Sequence, residues 1–275
     1  VDSALITLTT DFGYRDPFVG VMKGVILGID PGARIVDITH GIAPFDIRAG
    51  ACAIERASRY FPTGSIHVAV VDPGVGSPRR RIAAEAGGQV FIGPDNGVLA
   101  PVLDANRDSA RVYEIADPGV MLPGAGGTFD GRDVFAPAAA WVARGRRVAD
   151  LGPRVAQWVE SGIPAPEVSA DRIAGEIGRI DRFGNAETTI GSALLAALGP
   201  TGALRVEVAG RALPIVARYG AAPERGAPAA LINSAGFLEV FLDRASAAHA
   251  LGLAPGATVV VRVEAPYKIN GLIVS

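Results

Sequence analysis

Apolar positions in the first half of the chain fall into short unbroken runs separated by stretches with a helical period. Ala4 to Thr10 (ALITLTT) is the first such run and ends on Asp11 and Gly13. Pro17 to Ile29 then repeats at helical spacing, with Val21, Ile26 and Ile29 among its apolar positions. A second strand is predicted at Arg34 to Ile38 and a second helix at Ile47 to Tyr60. Ile66 to Val71 (IHVAVV) is apolar throughout, as strands buried on both faces are. Arg132 to Arg144 adds an amphipathic, Ala-rich helix. Strand–helix–strand alternation of this kind predicts an α/β domain with a largely parallel sheet.

The pattern then changes. Leu151 to Glu167 carries Pro153, Pro164 and Pro166 and reads as a linker. Shorter β-type runs follow, at Ile173 to Ile180, Leu204 to Val208, Leu213 to Ala217, Phe237 to Leu242 and Thr258 to Val263. They are spaced by turns and predict a smaller, mostly antiparallel β domain. The expected division is an α/β domain over 1–152, a linker over 153–170 and a β domain over 171–275.

Composition narrows the class. The 275 residues are 49% hydrophobic, enough for a sizeable core, and the net charge is only −2. No long basic or acidic block is present, so a small-molecule substrate is expected, with no nucleic-acid and no membrane partner. The one cysteine, Cys52, sits among apolar neighbours and reads as a buried thiol. Neither a secretory signal pattern nor an 18-residue apolar run occurs, which makes the cytoplasm the expected location.

Four polar clusters lie at strand ends or turns, where α/β proteins place ligands. In Thr9-Thr10-Asp11-Phe12-Gly13, with Asp16 beyond, Asp11 either grips a vicinal diol such as a ribose or caps the next helix. In Val71-Asp72-Pro73-Gly74-Val75-Gly76-Ser77-Pro78-Arg79-Arg80-Arg81, Asp72 and Arg79 either pair across the loop and hold a water, or belong to a plain turn with a solvated basic rim. Gly127-Thr128-Phe129-Asp130-Gly131-Arg132-Asp133-Val134-Phe135 opens a helix, offering free amides to an anion or a cap at Thr128 or Asp130. The fourth cluster is Asp181-Arg182-Phe183-Gly184-Asn185 with Asn233 to Glu239; Asn185 suits an adenine edge or a β-turn. His40, His67 and His249 have no metal-ligand spacing, and neither a nucleophile elbow nor a dinucleotide fingerprint is present. The residues by themselves describe an α/β enzyme with carboxylates at strand ends, handling a nucleoside.

The same motifs, in register along nearly the whole chain, resemble the S-adenosylmethionine (SAM) hydrolases, or SAM hydroxide adenosyltransferases, homologues of the fluorinase and chlorinase. They are TTDFGYRDPFVGVMKG from Thr9, PFDIRAG from Pro44, VVDPGVGSPRR from Val70, IGPDNGVL from Ile92, TFDGRDVFAP from Thr128, DRFGN from Asp181 and NSAGFLEV from Asn233. The resemblance implies an N-terminal nucleoside-binding α/β domain, a C-terminal β domain and a homotrimer with active sites between subunits. It implies that Asp11 holds the ribose hydroxyls, Phe45 lines the sugar pocket and Asn185 reads adenine. By the same resemblance Asp16, Asp181 and Ser234 bind the methionine portion, while Glu239 and Leu242 complete the wall. The implied reaction is displacement at C5′ of SAM, with adenosine and methionine as products and no cofactor, since SAM is the substrate.

Water is the expected nucleophile, because an anionic Asp72 repels a halide where the halogenases carry tyrosine. Gly131, shared by the hydrolases and the chlorinase, does not discriminate. The family is associated with clearing SAM, the (R)-sulfonium epimer being one candidate, and nothing in the sequence separates the epimers. One departure stands out: the hydrolases usually carry Thr-Phe-His-Gly-Arg-Asp, and here Asp130 replaces the histidine. Two carboxylates near one water couple unless Arg79 offsets the charge. Asp130 is expected to act with Asp72 and Arg79 as base or orienter. The alternatives are a SAM-dependent halogenase and a catalytically weak SAM- or adenosine-binding protein.

Overall fold

The computed structural model describes residues 4–222 and 226–264, together with the backbone of two short strands, Tyr267–Ile269 and Leu272–Val274. The chain divides into two compact units, Val1–Gly162 and Ile163–Ser275.

The first unit runs β1 (Leu5–Thr10), α1 (Phe18–Ile29), β2 (Arg34–Thr39), α2 (Ile47–Ser58), β3 (Ile66–Val70), β4 (Arg81–Ala86), β5 (Gln89–Pro94), α3 (Ala100–Ala105), β6 (Arg111–Glu114), a π-helical turn Gly131–Phe135, α4 (Ala136–Ala143) and β7 (Arg154–Val155). Its seven strands lie in the order β2-β1-β3-β5-β4-β6-β7. The sheet is mixed, which corrects the largely parallel sheet expected from the sequence. β1 pairs in parallel with β2 and β3, and β3 with β5, whereas β4 is antiparallel to β5 and β6, and β6 to β7. The cause is local. Gly87 and Gly88 both adopt positive φ (56° and 77°) between the paired residues Ala86 and Gln89. A two-residue turn of this kind closes a hairpin and cannot join parallel neighbours.

The sheet is covered on both faces, as β3 makes plain. Val68 and Val70 pack with Met22 and Ile26 of α1 and Ala138–Ala140 of α4, while Ala69 and Val71 face Ile54 of α2 and Leu103 of α3. At Gly93 of β5 a Cβ would collide with the Ala69 carbonyl of β3, so the close approach of these strands needs glycine.

The second unit contains β8 (Glu167–Val168), β9 (Arg172–Ile180), β10 (Ala186–Gly191), α5 (Ser192–Leu198), β11 (Leu204–Val208), β12 (Arg211–Pro214), β13 (Pro228–Ile232), β14 (Phe237–Leu242), α6 (Ala247–Leu251) and β15 (Thr258–Val263). Strands β16 (Tyr267–Ile269) and β17 (Leu272–Val274) form a separate antiparallel pair. The main sheet has the order β12-β11-β15-β9-β10-β14-β13, with β8 on β9, and all its strand pairs are antiparallel. A bridge from Ile215 to Ala230 joins the chain after β12 to β13, bending the sheet almost into a barrel around Ile173, Leu204, Val240 and Val261.

Candidate active site

The parallel strands deliver their polar residues at their carboxyl ends, side by side. β1 ends at Thr10 and passes to Asp11, β2 passes to His40, and β3 passes through Val71 to Asp72. Asp72 and Arg79 face each other across the loop between β3 and β4. Arg79 Nε donates to Asp72 Oδ1 at 2.7 Å and its Nη2 to Asp72 Oδ2, a bidentate pair. The same Nη2 donates to Asp130 Oδ2 at 2.6 Å, and Arg81 Nε reaches that oxygen at 2.8 Å.

All three central groups are nearly out of solvent. Burial opposes the Arg79 charge, but hydrogen bonds and attraction from Asp72 and Asp130 outweigh it and raise the guanidinium pKa. The Phe135 ring lies 5.8 Å from the guanidinium carbon and adds a cation–π contact. Two atoms of the cluster are buried without a hydrogen-bond partner among the described residues: Asp130 Oδ1 and Arg79 Nη1. A buried acceptor and a buried donor left open in one cluster suit a bound water or ligand.

A cavity of ≈ 380 Å³ opens on this cluster, with Asp72, Asp130 and Gly131 in its wall beside Phe12, Phe18 and Phe129. The three phenylalanines meet edge to face, with centroids 5.3–5.7 Å apart. Gly131 begins the π-helical turn, a feature common at functional sites. A Cβ there would lie 2.9 Å from Phe129 Cε2 and 3.3 Å from Met22 Sδ, so a larger residue would push these side chains out of the wall. Two opposing loops also meet closely, a Cβ on Gly76 falling 3.3 Å from the Gly127 carbonyl oxygen.

Asp11 is joined to another residue named from the sequence. Its Oδ2 accepts the Phe45 N–H at 2.8 Å, and Phe45 has φ +68° and is 69% exposed. Left-handed backbone at an aromatic residue is strained and persists where the surroundings enforce it. At the end of β2, buried His40 bonds Thr10 Oγ1 through Nδ1 at 2.8 Å, and its Nε2 lies 3.1 Å from Asp37 Oδ1. Asp16 is exposed on the loop before α1.

In the second unit, a cavity of ≈ 520 Å³ is lined by Asp181, Asn185 and Leu242, together with Phe183 and Tyr219. Asp181 builds the turn: Oδ1 accepts the N–H groups of Phe183 (2.8 Å) and Asn185 (2.9 Å), and Oδ2 accepts Asn185 Nδ2 at 3.0 Å. Gly184 has φ +83° and presses on the α6 cap, where any Cβ would collide with Ser246. Glu239 is buried; its Oε1 accepts the Tyr219 hydroxyl at 2.7 Å and its Oε2 the Asn233 amide at 3.0 Å. Burial and Glu239 together push the Tyr219 phenol well above its usual range. Ser234 is exposed at the tip of the β13–β14 hairpin.

Sequence reasoning therefore left out Arg81, Tyr219, His40 and the three-phenylalanine wall. Arg81 opens β4, a strand the sequence pattern does not announce, so beyond its place in the run of three arginines it carried no signal. Among the described residues no group of three or more His, Cys, Asp or Glu could hold a metal ion, and no helix is long and apolar enough to cross a membrane.

Comparison with known proteins gives the cluster its context. Residues 6–152 match the SAM hydroxide adenosyltransferase N-terminal domain and residues 175–260 the C-terminal domain of that family. The chain is 44% identical over 259 residues to an (R)-S-adenosyl-L-methionine hydrolase of Thermus thermophilus, covering 91% of this chain and 96% of the relative. A hydrolase of the same name from Salinispora arenicola is 37% identical over 253 residues, covering 91% and 95%. A fluorinase of Actinoplanes is more distant, at 29% over 289 residues, 94% and 97%. Among solved structures, an uncharacterized conserved protein from Thermotoga maritima superposes with a TM-score of 0.87 at 32% identity, covering 94% of this chain and 99% of the other. With both of its units matched, the chain belongs to the SAM hydroxide adenosyltransferase family.

Proposed function

We propose that the protein hydrolyses SAM, with the (R)-sulfonium epimer as the preferred substrate, to adenosine and L-methionine. The observation that carries this reading is the buried Asp72–Arg79–Asp130 cluster, whose two carboxylates line the cavity, with one acceptor and one donor left open. The relatives named as (R)-S-adenosyl-L-methionine hydrolases support the substrate.

In the proposed reaction a water oxygen forms a bond to C5′ as the C5′–S bond breaks. The bonding pair goes to sulfur, and methionine leaves as a neutral thioether. The water's proton passes to a carboxylate of the cluster and then to solvent. Because the sulfonium is already activated, no acid is needed at the leaving group; alignment, desolvation and deprotonation remain for the protein. Arg79 Nη1 donates to the water and Asp130 Oδ1 accepts from it, while Asp72 fixes the guanidinium. The aromatic wall keeps other water out. A halide at this place would meet two carboxylates, which favours water.

Substrate contacts follow the family resemblance: Asp11 and Phe45 at the ribose, Asn185 at adenine, Asp16, Asp181 and Ser234 at the methionine portion, Glu239 and Leu242 in the wall. The same resemblance supports a homotrimer with inter-subunit sites, the domain division at 1–152 and 171–275, a cytoplasmic location and a reaction without cofactor. Incubation with each SAM epimer in chloride buffer, with chromatography of the nucleoside, tests the reading. Adenosine with equimolar methionine is expected; 5′-chloro-5′-deoxyadenosine, or bound but intact SAM, would overturn it.

A further inference from the structure

Three arginines follow one another at residues 79–81, and they separate. Arg79 and Arg81 both reach Asp130 Oδ2, whereas Arg80 turns to Asp95 (2.8 Å) and the Gln157 carbonyl (2.7 Å). Asp72 and Asp130 are also unequal. Both Asp72 oxygens accept from Arg79, while at Asp130 two guanidinium donors converge on Oδ2 and leave Oδ1 buried and without a partner among the described residues. Asp72, Arg79 and Asp130 alone carry a formal charge of −1 in a place nearly free of solvent; Arg81 brings the four groups to zero. Removing one partner from a buried ionic cluster leaves an uncompensated charge.

Arg81 is itself held. Its residue pairs with Pro94 in β4–β5, and its carbonyl accepts the Ile115 N–H at 2.7 Å. Gly126, at φ +104°, lies over the guanidinium, a Cβ there coming 3.4 Å from Nη2. The side chain remains about one quarter exposed, so it borders the buried cluster from outside.

We infer that Arg81 is a positioning residue for the hydrolysis, acting through Asp130. It compensates the second carboxylate and fixes its rotation, so that Oδ1 is the oxygen offered to the attacking water. This rests on the reading of the cluster as the water-activating site. The role differs from that of Arg79, which presents an open donor of its own.

The test is steady-state kinetics on the full chain with (R)-SAM for Arg81→Gln, Arg81→Lys, Asp130→Asn and the double variants, with thermal melts alongside. Arg81→Gln is expected to lower kcat by about 10²-fold, the low end of an acid–base contribution, with KM little changed. Arg81→Lys, which keeps the charge, recovers a large part of that loss. In the Asp130→Asn background, Arg81→Gln adds less than about threefold, because the group it acts through is neutral. If Arg81→Gln does not fold, Arg81→Lys alone and in the Asp130→Asn background carries the same comparison. An equal fold-loss in both backgrounds, a rise in KM at unchanged kcat, or lysine no better than glutamine would overturn the proposal. Those results leave wild-type turnover intact; wild-type protein releasing no adenosine sinks the hydrolase reading and this inference together.

Discussion

The Asp72–Asp130 cluster of the first unit and Asp181 of the second use their carboxylates in opposite ways. In the first unit Asp72 and Asp130 face guanidiniums, and the cluster retains an open acceptor and an open donor. In the second, Asp181 turns both oxygens on its own turn, accepting three N–H groups from Phe183 and Asn185. A carboxylate with its acceptors committed to its own turn shapes a surface, and one held by paired charges with an oxygen spare can move a proton. Under the proposed function, that difference gives the chemistry to the first cavity and recognition to the second.

That assignment breaks most readily at Arg79. Arg79→Ala leaves two buried carboxylates without their shared partner; kcat is expected to fall by at least about 10³-fold. Stability falls with it by about 3–5 kcal/mol in denaturant melts. Next comes Gly131→Ala. The new methyl meets Phe129 at 2.9 Å, so Asp130 shifts; kcat falls about 10²-fold, as small misplacements at a reacting centre do. The stability cost is about 1–3 kcal/mol, from overpacking.

A milder effect is expected in the second unit. If Asn185 reads adenine as proposed, Asn185→Ala raises KM about tenfold, the worth of one hydrogen bond, with kcat nearly preserved. A loss of kcat without a change in KM there would erase the contrast between the cavities.

The smallest effect on activity sharpens the comparison from outside the site. His67 is fully buried, stacked on Phe91, and burial pushes its imidazole from 6.5 down to about 4. Its folded pKa is depressed, so in the unfolded chain it binds a proton first as pH falls. The stability it supports is therefore present above pH 6.5 and is lost as pH drops toward 4, by about 3 kcal/mol. His67→Gln flattens that part of the pH–stability curve while activity at neutral pH stays unchanged. Acid lability thus separates from the chemistry of the cluster.

Much of this was legible beforehand. Apolar runs ending in Asp11 and Asp72 marked β1 and β3, and the carboxyl ends of parallel strands mark ligand sites. The helices Phe18–Ile29 and Ile47–Ser58 stood out by their period. The antiparallel half of the first sheet did not. β4 and β5 contain Ala83, Ala84 and Ala86 around a Gly-Gly turn, with few of the β-branched residues that announce a strand, so the sheet read as largely parallel. Missing β4 also hid Arg81, which looked like part of a solvated rim because no strand period yet separated it from Arg80. The left-handed Phe45 and the π-helical turn at Gly131 arise from tertiary packing, which pattern alone does not encode.

In the proposed reaction this cluster delivers water to C5′. That step is tested most directly by running the reaction on (R)-SAM in ¹⁸O-labelled water with chloride present and weighing the nucleoside. Adenosine carrying the heavy oxygen at its 5′ position is expected, together with unlabelled methionine. Unlabelled adenosine, a chlorinated nucleoside or unreacted SAM would contradict it.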